Sequence, residues 1–367
     1  YNRYRTHYAV KGHRKDWHTV RTVCPLCGLL CPTVATVSGN DLIKIEGIIP
    51  AGDKRPDGGQ LCYKGRFEVL KNSDRRLLHP LVRQANGSWT EETWENALDI
   101  TVAGLNAVRD AHGGQAIAGL ISGLSSNEEL VCFRDLMVKG WGAVQIEALE
   151  NTGFQNIYRI GPDKGKILKE VSWKKIDEAD YILTVGVVAH GSQPAVGAMI
   201  RKRIIHHKLR SAGIGPDDFL YPYGAHYIPV KKGNVLLLVK AILREAIKVM
   251  KKTASAADVG RNFEQMEPVK ASDIVKRLQL DGKAQAALDG IIRDYVDSAN
   301  PLIIIGESVS GQKDLSGLNA LVDLAFLKGL YDNDRLRLIV LKPNGNSMGV
   351  CKLLNRFDRE KQVQTIP

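Results

Sequence analysis

Apolar and polar residues alternate with two different periods along the chain. At 33–37 (TVATV) and 42–46 (LIKIE) every second position is apolar, on either side of the turn residues SGND at 38–41. A period of two about such a turn predicts a β-hairpin. From Thr90 the period lengthens: Trp94, Leu98, Val102 and Leu105 recur at helical spacing, behind Glu91 and Glu92 in the first turn, which predicts an amphipathic helix. The apolar run 116–122 (AIAGLIS) reads as a buried strand, and Ser126 with Glu129 forms a capping box before a further helix.

The remainder repeats that alternation. Strands are predicted at 180–188 (DYILTVGVV), 301–308 (PLIIIGES) and 335–343 (RLRLIVLKP), and helices at 195–209, 234–250, 284–299 and 318–330. A polar stretch at 253–262 reads as a linker. Strands alternating with helices imply parallel α/β sheets joined by right-handed crossovers. The expected fold is therefore α/β: a small domain with a β-hairpin, then Rossmann-like parallel α/β domains. The expected divisions are a basic and aromatic arm at 1–21, a small domain at 22–75, a first α/β domain at 76–150 plus 300–367, and a second at 151–299.

Length and composition restrict the function. A chain of 367 residues is long enough for two or three domains, and no run of eighteen uncharged apolar residues exists to span a bilayer. The formal charge of +11 raises nucleic-acid binding, which requires clustered cations. The densest cluster is the arm, where Arg3, Arg5, Lys11, Arg14, Lys15 and Arg21 meet only Asp16, with Tyr1, Tyr4, Tyr8 and Trp17 interleaved. Aromatic and basic residues together suit docking on an acidic protein partner, and that reading is preferred to nucleic acid.

The chemistry lies in the cysteines. Four of the six, Cys24, Cys27, Cys31 and Cys62, are spaced C-x2-C-x3-C-x30-C, and the Pro- and Gly-rich loop 49–60 brings the last back toward the others. Three thiolates on one tight loop can occupy three corners of an iron-sulfur cube while a distant fourth completes it. A structural zinc site more often uses two C-x2-C knuckles, and only one is present. The spacing therefore favours a 4Fe-4S cluster over zinc. Cys132 and Cys351 read as small buried hydrophobes. Lys64, two residues beyond the fourth ligand, reads equally as a cation that raises the cluster potential and as a solvated lysine. Cysteine usage of this kind implies a reducing setting, so the expected location is cytoplasmic, with any membrane association through partners.

Five segments in order, VCPLCGLLC, DGGQLCYKGRFEVL, DRRLLHPLVR, GSWTEETWENAL and GLSSNEE, together resemble the N-terminal half of the molybdopterin oxidoreductase family. The likeness is greatest to formate dehydrogenase catalytic subunits and to the large iron-sulfur subunit of respiratory complex I. It is strong over 22–140 and traceable to about residue 350. The resemblance implies a 4Fe-4S domain followed by two Rossmann-like domains. In active members it also implies a molybdenum or tungsten bis-pterin site (Mo/W-bis-MGD), with a lysine or arginine at the Lys64 position bridging cluster and pterin.

Three departures set this chain apart from those active members. The region matching the metal-ligating cysteine or selenocysteine, QIEALENTGFQNI at 145–157, has neither Cys nor Ser, and Thr152 is a poor substitute. Where the family carries Gly-Ala-Asn-Pro and then His-Pro, this chain has Gly186, Val187, Val188 and Ala189, then Gln193 and Pro194, and Lys231–Asn234 replaces Pro-Gly-Thr-Asp. The sequence ends at Pro367, before the domain that closes over the pterins. The expectation is an electron-transfer iron-sulfur subunit with one cluster on a degenerate scaffold, lacking bis-MGD, in a hetero-oligomer with flavin- or iron-sulfur-containing redox subunits. The alternative is a catalytic Mo/W-bis-pterin oxidoreductase of formate dehydrogenase type completed by another subunit, with a metal pocket near Asn127, Gly186 and Thr152. A structural or nucleic-acid-binding zinc module is the third reading.

Overall fold

The computed structural model describes residues 13–39, 41–49, 58–68, 77–148, 156, 172–217, 219–250, 271–328 and 337–354. Residues 1–12 of the expected arm, Thr152, the expected linker at 253–262 and residues 355–367 lie outside the described residues.

The alternating segments form the expected hairpin, within a three-stranded antiparallel sheet ordered β1-β2-β3: β1 (His18–Val23), β2 (Pro32–Ser38) and β3 (Asp41–Gly47). This sheet buries Ala35, Ile43 and Ile45, together with Thr33 and Thr36. All six residues of β1 are exposed. The expected arm boundary at residue 21 thus falls inside a strand, because His18–Val23 finds backbone partners along β2 without needing a buried face.

A second hairpin, β4 (Leu81–Arg83) and β5 (Trp89–Glu91), leads into α1 (Trp94–His112), whose first turn is capped by Thr93 Oγ1 accepting from Asn96 N–H at 3.2 Å. Then come β6 (Ala118–Leu120), α2 (Asn127–Asp135) and β7 (Gln145–Glu147), with β6 and β7 paired in parallel. The capping box forms as expected: Glu129 N–H donates to Ser126 Oγ at 3.2 Å and Ser126 N–H to Glu129 Oε2 at 2.7 Å. The strand expected across 116–122 is shorter and more open. Only Gly119 of β6 is buried, packed against Phe133 and Met137, while Ala118 and Leu120 are exposed.

The largest unit is a five-stranded parallel sheet. In chain order come α3 (Lys175–Glu178), β8 (Tyr181–Val185), α4 (Pro194–His207), β9 (Arg210–Gly215), β10 (His226–Pro229), α5 (Val235–Val249), α6 (Ala271–Arg277), α7 (Gly282–Asp297), β11 (Pro301–Ile305), α8 (Glu307–Ser310), α9 (Leu315–Leu327), β12 (Leu338–Val340) and α10 (Ser347–Leu353). The strand order is β10-β9-β8-β11-β12, with every pair parallel. A parallel sheet must be covered on both faces, and here the two-residue period of the strands divides them. Tyr181, Leu183 and Val185 pack against α5, α7 and α9, whereas Ile182, Leu302, Ile304 and Ile339 meet Val196, Met199 and Ile200 of α4. Each such fully buried aliphatic side chain contributes about 1.5–3 kcal/mol.

The expected union of 300–367 with 76–150 is corrected by this topology. β11 hydrogen-bonds to β8 over Pro301–Ile305 and β12 to β11, so both belong with residues 181–229. The other unit is reached by the loop after β12, through Asn346, and by α10, where Val350 and the adjoining Leu354 share a small core with Leu130 and Ala148.

Candidate metal centre

The sheet reverses its winding between β8 and β11, because the chain proceeds from β8 outward through β9 to β10, and from β11 outward to β12 on the other side. In such folds the crevice at the carboxyl ends of those central strands is where ligands collect. The cysteine loop sits at this end of the sheet. Residues 24–31 connect β1 to β2 and are closed by Cys24 N–H donating to Cys31 O at 2.9 Å and Leu30 N–H to Cys27 O at 3.2 Å. The loop after β12 holds it from outside: Gly28 N–H donates to Lys342 O at 3.1 Å, and Gly345 N–H to Pro25 O at 2.9 Å. A Cβ on Gly28 would overlap Lys342 Cβ, so the approach requires glycine.

Cys62 arrives from the opposite side. It heads a π-helical turn, Lys64–Glu68, in which Arg66 N–H donates to Cys62 O at 3.1 Å, and π turns of this kind gather at functional sites. Gly65 in that turn lies against Cys24, where an added Cβ would stand 3.2 Å from the sulfur. Cys24, Cys27, Cys31, Cys62 and Lys64 line one small pocket, together with Leu26, Leu29, Leu61 and Gly65 and, at the start of α4, Ser192–Ala195. The thiols share this pocket without closing on a point: among the described residues, no three His, Cys, Asp or Glu form a group that could hold a single metal ion. The structure thus brings together all five residues singled out from the sequence.

The electrostatics of the pocket resist anions. Burial pushes the Cys27 thiol up to about 11; the nearby Cys24 and Cys62 sulfurs add to this, while a backbone hydrogen bond from Leu29 and the charge of Lys64 act against it. Burial also raises Cys24, opposed by a backbone hydrogen bond from Leu26 and reinforced by Cys62. Several buried thiols that are costly to ionise together call for positive charge among them. Iron would supply it, and four soft sulfur donors fit an iron-sulfur cluster.

The positions where the resemblance implies pterin contacts are arranged differently. Val188, where the resemblance implies a polar Asn, is half-buried between the buried Val187 and Ala189, and Gln193, in place of the implied His, lines the cysteine pocket. Gly186, at φ 65°, packs against Val309 of α8, and Ser308 Oγ donates to its carbonyl. Asn127 is turned toward the loop after β12, where Asn346 Nδ2 donates to its Oδ1 at 3.1 Å. Sequence reasoning missed that loop, Lys342–Asn346. The available signal was its turn-forming Pro-Asn-Gly immediately after a predicted strand. The two cysteines outside the pattern also depart from expectation, since Cys132 is exposed and Cys351 half-buried.

Residues 17–69 match the profile of the molybdopterin oxidoreductase Fe4S4 domain, and residues 76–349 match that of molybdopterin oxidoreductase itself. The chain belongs to the molybdopterin oxidoreductase family. Among curated relatives it is 22% identical over 350 residues to the putative formate dehydrogenase YrhE of Bacillus subtilis, covering 91% of this chain and 34% of that protein. It is 22% identical over 353 residues to the NADPH-Fe(3+) oxidoreductase subunit alpha of Geobacter sulfurreducens, covering 94% of this chain and 40% of that one. The chain thus spans about a third to two fifths of the length of these relatives. The solved structure of acetylene hydratase from Pelobacter acetylenicus superposes with a TM-score of 0.64 at 15% identity, over 86% of this chain and 44% of that one, which shows a shared fold. The Fe4S4-domain match supports a 4Fe-4S cluster in this member of the family. Among the described residues no helix is long and apolar enough to cross a membrane.

Proposed function

We propose that Cys24, Cys27, Cys31 and Cys62 hold one 4Fe-4S cluster, and that the chain carries single electrons within a larger redox assembly without a pterin of its own. The observation that carries this reading is the gathering of all four thiols in one pocket at the carboxyl edge of the sheet. When bound, the cluster supplies one-electron storage, with its potential set by neighbouring charge and hydrogen bonds. The protein's own residues do the rest. The Cys24–Cys31 loop and the Lys64–Glu68 turn present the sulfurs, Leu26, Leu29 and Leu61 line the pocket with apolar surface, and Lys64 places a cation close enough to act on Cys27. That cation stabilises the more negative, reduced state.

A single one-electron centre performs no two-electron chemistry, so donor and acceptor groups belong to neighbouring chains, which we take to be flavin- or iron-sulfur-containing subunits. That one relative is named as subunit alpha of an oxidoreductase supports this. A cytoplasmic, reducing setting, with membrane contact only through partners, is part of the same proposal. The second reading, a catalytic Mo/W-bis-pterin oxidoreductase, is favoured by the family match over 76–349 and by the names of the formate dehydrogenase-like relatives. Against it stand the apolar Val188 where the resemblance implies a polar Asn and the filling of the space beside Gly186 by Val309. Elemental analysis of the anaerobically purified native assembly decides between them. About four iron atoms per chain, with neither molybdenum nor tungsten, is the expected result. Stoichiometric molybdenum or tungsten bound to this chain overturns the proposal in favour of the second reading, and zinc in place of iron overturns both.

A further inference from the structure

Three segments distant in sequence converge on one carbonyl oxygen. Lys342 O accepts both from Gly28 N–H of the cysteine loop, at 3.1 Å, and from Gln193 Nε2, at 2.9 Å. Gln193 is 1% exposed and lines the pocket of the four cysteines. It also occupies the N-cap of α4, where no side chain caps the first turn. Pro194 follows with no N–H to offer, and the Val196 and Gly197 N–H groups fold back to Gln193 O at 3.1 and 3.3 Å. The positive end of a fourteen-residue helix therefore abuts the pocket, and the Gln193 amide ties that end to the carbonyl on which the cysteine loop rests.

We propose that Gln193 is a positioning residue for the iron-sulfur cluster: through Lys342 O it fixes the cysteine loop against the amino end of α4 and so holds the cluster potential at its working value. The proposal rests on the cluster reading above. Its physical basis is that a cluster gains one negative charge on reduction, so its potential depends on how close the helix terminus and the other dipoles are held. A surface charge could not substitute, because solvent screens it. The shared carbonyl also couples two contacts, since a shift of Lys342 O away from Gln193 moves the acceptor of Gly28 N–H.

The test uses the full chain purified anaerobically as wild type, Q193A, Q193E and Q193H, with iron content, a redox titration followed by electron paramagnetic resonance, bleaching by a ferrous chelator and a thermal melt. We expect Q193A to keep its iron and its melting temperature, to shift its midpoint potential, and to bleach roughly five- to tenfold faster, the factor for one lost buried hydrogen bond. Q193H keeps an N–H donor at similar reach and returns both readouts toward wild type. Q193E, which sets a carboxylate against Lys342 O and the sulfurs, has the lowest midpoint of the set. A wild-type midpoint and bleaching rate in Q193A overturns the proposal while leaving the cluster reading intact. Should Q193A fail to load iron, equal midpoints in Q193H and Q193E overturn it instead. Wild-type protein purified without iron overturns the cluster reading itself, and this inference with it.

Discussion

Gly28→Ala is the sharpest probe of how the cysteine loop is held. The new methyl would overlap Lys342 Cβ and lie 3.0 and 3.1 Å from Lys342 Cγ and Cδ, so either the loop or the segment after β12 must move. Movement breaks the 3.1 Å bond from Gly28 N–H to Lys342 O, a loss of about 1 kcal/mol. Overpacking of this kind adds about 1–3 kcal/mol. The docked loop is therefore expected to lose about 2–4 kcal/mol relative to the undocked one, roughly a 30- to 1,000-fold shift in that equilibrium. The effect should stay local, because no residue of the cysteine loop belongs to the core formed by α5, α7 and α9 on the sheet. Native-state hydrogen exchange is the assay: protection should fall at Cys24 and Leu30, whose N–H groups close the loop, and remain unchanged along α5. A second substitution, Lys342→Gly, removes the atoms that clash, so the pair G28A/K342G should recover much of the loss when measured against K342G alone. Unchanged protection in G28A, or a double variant no better than additive, would refute the reasoning.

Other perturbations address the pocket and the scaffold separately. Cys62→Ser should leave substoichiometric iron and a weakened N-terminal domain, checked by iron counting and absorbance; full occupancy with an unchanged spectrum would mean the ligand set is wrong. Lys64→Ala should lower the cluster midpoint without loss of iron, because a cation acting on Cys27 is removed, and redox titration reads this directly. Asp314 caps α9 through Gly317 N–H at 3.0 Å and pairs with Lys240 at 3.0 Å. Burial opposes its ionisation, but the donors from Gly317, Lys240 and Ser316 outweigh it and hold the carboxyl below its usual range. A lowered folded-state value means that its contribution is present above the unfolded carboxyl range and is lost as pH falls through the folded one. Asp314→Ala should therefore cost about 1 kcal/mol near neutrality, with the difference from wild type vanishing in acid, as followed by urea denaturation across pH.

The readable parts of this fold were those whose cause is local. The central strands β8 and β11 are buried throughout and largely apolar because helices cover both faces, and a nearly continuous apolar run bounded by turn residues signals that. Strands β9 and β10 were missed. Residues 210–215 (RSAGIG) are small and glycine-rich, and His226–Pro229 is four residues long; β9 is a strand because β8 offers a ladder and β10 because β9 does, a cause that lies in the partner. Cys132 was misread for a related reason. It lies two positions beyond the buried Leu130 on α2 and hence on the other side of the helix. The cysteine spacing was legible because three of the four thiols sit on one short loop. The opposite wall of the pocket, Ser192–Ala195, is brought to the cysteines by the sheet from more than a hundred positions away, a juxtaposition that no local window records.

Helix α1 spans nineteen residues without burying one of them, and Trp94 and Leu98 on its apolar stripe are 69% and 55% exposed. Such a helix stands largely on its own propensity and its cap. Midway along it sits Gly104, whose missing methyl would touch nothing within 4 Å. Gly104→Ala should accordingly stiffen the segment by about 1 kcal/mol, visible as slower amide exchange there, and α1 should be the first element to fray on warming, well ahead of the sheet that carries the thiols.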